Sequence, residues 1–149
     1  MDGVEEEMKN TKWQEAGIKA YRTGRWAKIM TKWLISRNRR DGAKWHVVNF
    51  LGPKNSESRG IVDLLAIRKD HRRQDGITKR GDLFDIVLIQ VKGGGALFPA
   101  KEDIARLKAA AKYHRAKAIV LSEWKPQKRL QLYLLKRNRW MSIKPDELF

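Results

Sequence analysis

Apolar positions along this chain follow two different periods. From Trp13, the residues Gly17, Ala20, Gly24, Ala27, Met30 and Leu34 recur at helical spacing. This predicts one long helix, or two consecutive ones, to about Arg37, with Gly24 as the possible break. Thr11-Lys-Trp-Gln14 has the form of a capping box and would start the helix. Trp13, Trp26 and Trp33 are expected to pack one helix face against a sheet. Beyond Asn38–Gly42 the period shortens to two. Trp45 to Leu51, Ile61 to Arg68 and Leu83 to Lys92 read as three strands, the last two joined by the polar, turn-rich stretch Lys69–Asp82. Pro99 opens a second helix with Ile104, Leu107 and Ala111 on one face. Ala118 to Trp124 and Leu130 to Leu135 read as two more strands. The order α-β-β-β-α-β-β predicts an α/β (α+β) fold, a mixed central sheet flanked by helices. Its division is an acidic tail, residues 1–10, and one domain, residues 11–149.

The second and third strands carry polar groups that a strand does not favour. Gln90 and Lys92 share a face with Phe84, Ile86 and Leu88, and Asp63 shares one with Ile61, Leu65 and Ile67. A half-buried carboxylate, amide and ammonium are costly unless they pair or bind something. Two readings follow. In one, Asp63 and Lys92 form an ion pair with Gln90 hydrogen-bonded beside it. In the other, Asp63 and the Gln90 side-chain oxygen ligate a hard cation, with the Val91 carbonyl as a third donor and Lys92 acting on a water or a phosphate. Asp85 points to the opposite face from Gln90 and is expected to be structural.

Charge narrows the partner. Thirty-three Lys and Arg against 17 Asp and Glu give a net charge of +16 over 149 residues. The first ten residues hold four acids and one Lys, a net of −3, so the remainder carries +19. Such an excess favours phosphate contacts with counterion release. A basic ribosome-associated or RNA-binding protein would show the same balance. There is no cysteine, hence no thiolate metal site and no disulfide framework. No apolar run is long enough to span a membrane, and the acidic start lacks a secretory h-region. The expectation is a cytoplasmic, nucleic-acid-associated protein.

The element order and the Gln90-Val-Lys92 triplet resemble the PD-(D/E)XK nuclease superfamily, over roughly Thr11 to Lys136. That family has an αβββαβ restriction-endonuclease-like core, with Asp on the second strand and (D/E/Q)-x-K on the third. The Gln variant is similar to Mrr-type restriction enzymes and to the endonuclease subunit of Tn7-like transposition. Size and layout look closest to archaeal-type Holliday junction resolvases. Tyr21-Arg-Thr-Gly-Arg25 resembles their basic, Gly-containing turn before a helix, and Ser58-Arg-Gly60 their approach to the Asp strand.

The resemblance implies a Mg²⁺- or Mn²⁺-dependent endonuclease acting on branched or duplex DNA, as a homodimer if a junction is cut on two strands. Asp63, Gln90 and Lys92 would be catalytic, with Asp63, Gln90 and Val91 on the metal. Lys54, Ser58, Arg59 and Arg25 would contact DNA. One departure stands out: resolvases usually carry a Glu on the first helix, and Trp26-Ala-Lys-Ile-Met30 has none. Glu15 is the candidate replacement ligand, with Glu57 second. A site-specific endonuclease and a catalytically inactive nucleic-acid-binding module on the same fold are the alternatives.

Overall fold

The computed structural model describes residues 2–38, 43–50, 59–125 and 127–149. Helix α1 runs over Asp2–Ser36, followed by strands β1 (His46–Asn49), β2 (Leu64–Lys69) and β3 (Phe84–Gly93). Helix α2 (Lys101–His114) leads to β4 (Ala118–Trp124), β5 (Gln131–Lys136) and β6 (Arg139–Ile143), and a 3-10 turn at Pro145–Glu147 closes the chain. The six strands lie in one sheet in sequence order. All neighbours are antiparallel except β3 and β4, which run parallel with α2 as the crossover. The expected mixed sheet and αβββαβ order are therefore present, with β6 as an additional edge hairpin.

Alternation along the strands divides the sheet into two faces. Leu64, Ala66, Val87, Ile89, Val120 and Leu132 form one core with Ile35 of α1, Trp45 and Phe149. Trp45 and Phe149 meet edge to face at 5.4 Å. Leu88, Ile119 and Leu121 point the other way, on the side where the fully buried Leu107 of α2 packs. Deep in α1, Thr31 Oγ1 and Ser122 Oγ of β4 are 2.7 Å apart, a hydrogen bond that fixes the helix on its face.

Of the two forms expected for α1, it takes the single long helix, starting at Asp2 and continuing through Gly24 without a break. Three expectations about it are corrected. Thr11 is not its cap: the Thr11 hydroxyl donates to the Glu7 carbonyl at 2.8 Å, one turn back inside the helix. Tyr21–Arg25 is likewise helical rather than a turn. The tryptophans do not pack against the sheet, since Trp13, Trp26 and Trp33 are all exposed. Ala27, Thr31 and Ile35 make the sheet contact, because smaller side chains let the helix axis come close. Gly93 serves the same approach at the end of β3. A Cβ there would lie 3.1 Å from both Thr23 Cγ2 and the Thr23 carbonyl oxygen.

Candidate functional site

The site lies on the α2 face, where β3 and β4 end. Asp63 is not inside β2, as the apolar pattern implied, but immediately before its first residue, Leu64. Its backbone N–H still donates to the Ile89 carbonyl at 2.9 Å, so the chain enters β2 already tied to β3. Its carboxylate Oδ2 accepts the Val91 N–H at 2.7 Å. This bond places the carboxylate at the centre of Gln90-Val-Lys92. The N–H and C=O of one strand residue point to the same side, so the Val91 carbonyl also lies on the Asp63 side.

Gln90 is 6% exposed, and its Oε1 has no hydrogen-bond partner among the described residues. Trp45 Nε1, Asn49 Oδ1 and Trp140 Nε1 share that condition. Gln90 differs from them in lying between a carboxylate and an ammonium. A buried amide oxygen left without a donor costs roughly 1–3 kcal/mol. Lys92, half-buried two residues on and on the same face, forms no ion pair within 4.0 Å among the described residues. The ion-pair reading of Asp63 and Lys92 is thus not what the geometry shows: the carboxylate is held by a backbone amide instead.

A second carboxylate stands on this face, one the sequence reading missed. In the parallel β3–β4 ladder Lys92 is in register with Glu123, and Gln90 with Leu121. Side chains of in-register neighbours point the same way, so Glu123 stands beside Lys92. The Glu123 side chain is 15% exposed, and Lys125 Nζ lies 4.0 Å from its Oε1. Beyond it on β5, burial and then the Glu123 charge raise the Tyr133 phenol above its ordinary pKa. Phe98, in the segment leading to α2, packs edge-on against Tyr133 at 5.1 Å. Polar residues in β4 were the available signal, but Ser122 and Glu123 are adjacent, and only the register decides which one faces Lys92.

The other expected residues are scattered. Glu15 is exposed on α1 and borders a groove with Lys19, Trp26 and Trp124. Trp124 alternates with Glu123 and so belongs to the opposite sheet face, which places Glu15 across the sheet from Gln90 and Lys92. Arg25 is exposed on α1, and Arg59 is exposed shortly before Asp63. Lys54, Glu57 and Ser58 lie outside the described residues. Among the described residues no three His, Cys, Asp or Glu side chains gather to hold a metal ion.

The residues fit one kind of cation. Asp63 and Glu123, with the neutral oxygens of Gln90 and Val91, would supply hard, oxygen-only donors. Mg²⁺ is typically held by one or two carboxylates, its remaining positions filled by water and substrate phosphate. The partnerless Gln90 Oε1 is the atom such an ion would satisfy.

At the other end of the same strands, Asp85 is buried, as its opposite-face position implied. Arg68 Nε donates to its Oδ2 at 3.2 Å while the guanidinium stacks over Trp45 at 4.5 Å. Arg72 links Asp70 to Asp85, at 2.7 Å and 3.4 Å. Hydrogen bonding to Arg72 holds the Asp70 carboxyl down at about 2. This network ties the loop between β2 and β3 to the sheet and leaves the charged loop tip in solvent.

No family model matches the chain, and no curated protein matches it. Among solved structures it is similar to Hjc of Archaeoglobus fulgidus, a Holliday junction resolvase from an archaeal hyperthermophile. The identity is 11%, over 91% of this chain and 97% of that chain, with a TM-score of 0.42.

Proposed function

We propose that this chain is a divalent-metal-dependent endonuclease that hydrolyses phosphodiester bonds in DNA, with branched DNA as the favoured substrate. The observation that carries the reading is the buried Oε1 of Gln90, which has no hydrogen-bond partner among the described residues, beside the backbone-anchored Asp63 and on the same strand face as Lys92. A buried amide oxygen without a donor is costly, and a cation held beside Asp63 would satisfy it. The element order and the Gln-x-Lys strand supply the resemblance to PD-(D/E)XK nucleases, and the net charge of +16 supplies attraction for a polyanion.

Each residue has a role in this reading. Asp63, Gln90, Val91 and Glu123 would hold Mg²⁺ or Mn²⁺. The chemistry such a cation supplies is polarisation of the scissile phosphate and acidification of the attacking water. The Val91 N–H orients the Asp63 carboxylate, so its position is fixed before substrate arrives. Lys92 brings an ammonium to a half-buried site, where it stabilises charge developing on the phosphate more strongly than in water. Arg59, exposed shortly before Asp63, meets a flanking phosphate. The junction-resolvase reading adds a homodimer, since two symmetric strands of a four-way junction must be cut.

The test is cleavage of supercoiled plasmid, a synthetic four-way junction and linear duplex in Mg²⁺ or Mn²⁺. Wild type should cut and prefer the junction, while Asp63→Asn and Lys92→Ala should each lose about a hundredfold or more in rate yet still bind DNA. Equal activity in wild type and both variants would remove the catalytic claim.

One observation favours a second reading, a catalytically inactive DNA-binding module: the absence of a three-acid cluster among the described residues. Titration calorimetry separates the two. Mn²⁺ binding in the presence of uncleavable DNA supports the enzyme. Tight, salt-sensitive DNA binding with no Mn²⁺ heat supports the module.

A further inference from the structure

Helix α1 is 35 residues long, about 52 Å at 1.5 Å per residue, and only part of it touches the sheet. Among its described side chains the buried ones are Ala27, Thr31 and Ile35, all in its C-terminal half. The N-terminal half projects beyond the sheet, and every described side chain from Val4 to Lys19 is exposed. A free helix of this kind is marginal in water without a packed face. Yet this one displays large apolar side chains: Val4 is 62% exposed, Met8 57%, Ile18 54%, Ile29 44% and Trp33 55%.

These residues are ordered. Alternating steps of four and three carry a line through Val4, Met8, Thr11, Glu15, Ile18, Arg22, Arg25 and Ile29, and Trp33 lies four residues beyond Ile29 on the same side. That is the spacing of a coiled-coil seam, and it runs along the side of α1 away from Thr31 and Ser122. The charges along the helix are also sorted. Residues 1–15 contain five acids and two bases, whereas residues 16–37 contain six bases and no acid.

We infer that the seam pairs α1 with the α1 of a second copy of this chain, antiparallel, with Glu15 of each copy against Arg22 of the other. The charge distribution sets the direction. A parallel pair would lay acid on acid and base on base along the whole interface. An antiparallel pair lays the acidic end of each helix over the basic half of the other, twice. The register follows from the residues themselves. Setting Glu15 opposite Arg22 also sets Met8 opposite Ile29 and Val4 opposite Trp33, with Ile18 beside the two-fold axis. Every large apolar residue of the seam then meets another across the interface. Such an isologous contact closes on itself and stops at a dimer. It leaves the Gln90 and Lys92 face of each copy open, and it does not depend on the nuclease reading.

Sedimentation equilibrium on the full chain tests the inference. Wild type should be a dimer at tens of micromolar. Glu15→Arg and Arg22→Glu should each raise the dimer dissociation constant by about tenfold, because each substitution sets like charges together at two places. The double variant Glu15→Arg/Arg22→Glu should return close to wild type, which a merely structural defect would not do. Because the chain has no cysteine, introduced thiols report the direction. Ile18→Cys should form a disulfide-linked dimer under mild oxidation, and Val4→Cys should not. A monomeric wild type, failure of the double variant to recover, or cross-linking of Val4→Cys to itself would each overturn the inference.

Discussion

The carboxylate of Asp63 is held by the backbone of Val91, its Oδ2 accepting that N–H at 2.7 Å. A backbone donor is a more exacting anchor than a side chain because the β3–β4 ladder already fixes Val91, in register with Ser122. The bond therefore sets the carboxylate beside Gln90-Val-Lys92 through a donor that the ladder holds in place. Lys92, two residues along the same face as Gln90, forms no ion pair within 4.0 Å among the described residues.

Gln90 should show a trade between stability and function. Replacing it with Leu removes a buried oxygen that has no donor among the described residues, so Gln90→Leu should unfold at the same urea concentration as wild type or a higher one. The same variant should lose Mn²⁺ binding measured calorimetrically with DNA present. A large loss of stability would instead show that the amide has a structural partner.

Glu123 should act on metal affinity more than on binding of DNA. For Glu123→Gln, the Mg²⁺ concentration giving half-maximal cleavage should rise about tenfold, equivalent to about 1.4 kcal/mol, with DNA affinity in Ca²⁺ unchanged. Glu15→Gln should leave the metal requirement as it is, since Glu15 borders Trp124 on the opposite side of the sheet.

Asp85 is the anchor of the far end of β3. Its carboxylate faces Arg68, Arg72 and Lys117, at 3.2, 3.4 and 3.9 Å, and both it and Arg68 are buried. Breaking such a pair takes a hydrogen-bonded anionic partner from the buried Arg68. Asp85→Ala should cost about 3–5 kcal/mol in urea unfolding, even though it lies on the sheet face opposite Gln90.

Asp70 should give the fold part of its acid sensitivity. Its carboxyl titrates at about 2 in the folded chain against an ordinary 3.8, chiefly through hydrogen bonds from Arg72. A depressed carboxylate stabilises the fold fully above its unfolded value and loses that contribution as pH falls through the folded one. Thermal melts of wild type should therefore drop between about pH 4 and pH 2 more steeply than those of Asp70→Asn. Equal slopes would show that Arg72 exerts no such hold.

Several of these features were legible in the sequence because they are local. Gln90 and Lys92 stood out because a period of two left polar side chains among Phe84, Ile86 and Leu88. The opposite-face position of Asp85 followed from the same alternation. Asp63 was identified as well, although it belongs to the entry into β2 and not to the strand: the apolar run does not mark where ladder pairing begins. The tryptophans of α1 were misplaced for a related reason. Helical periodicity shows that a helix has two sides, but not which one meets the sheet. Size decided that, since Ala27 and Thr31 allow close approach and Trp26 and Trp33 do not.

The sequence by itself determined the order of elements from α1 to β5, the polar residues embedded in β3 and the net positive charge, because each depends on neighbours within a few residues or on a sum over the chain. Only the tertiary structure decided that Asp63 is anchored by Val91, that Glu123 stands beside Lys92 and that Glu15 lies across the sheet. Those relationships depend on strand register and on which face each strand turns to the helices. Register is fixed by burial over the whole sheet, and a shift of one residue would send every side chain to the other face.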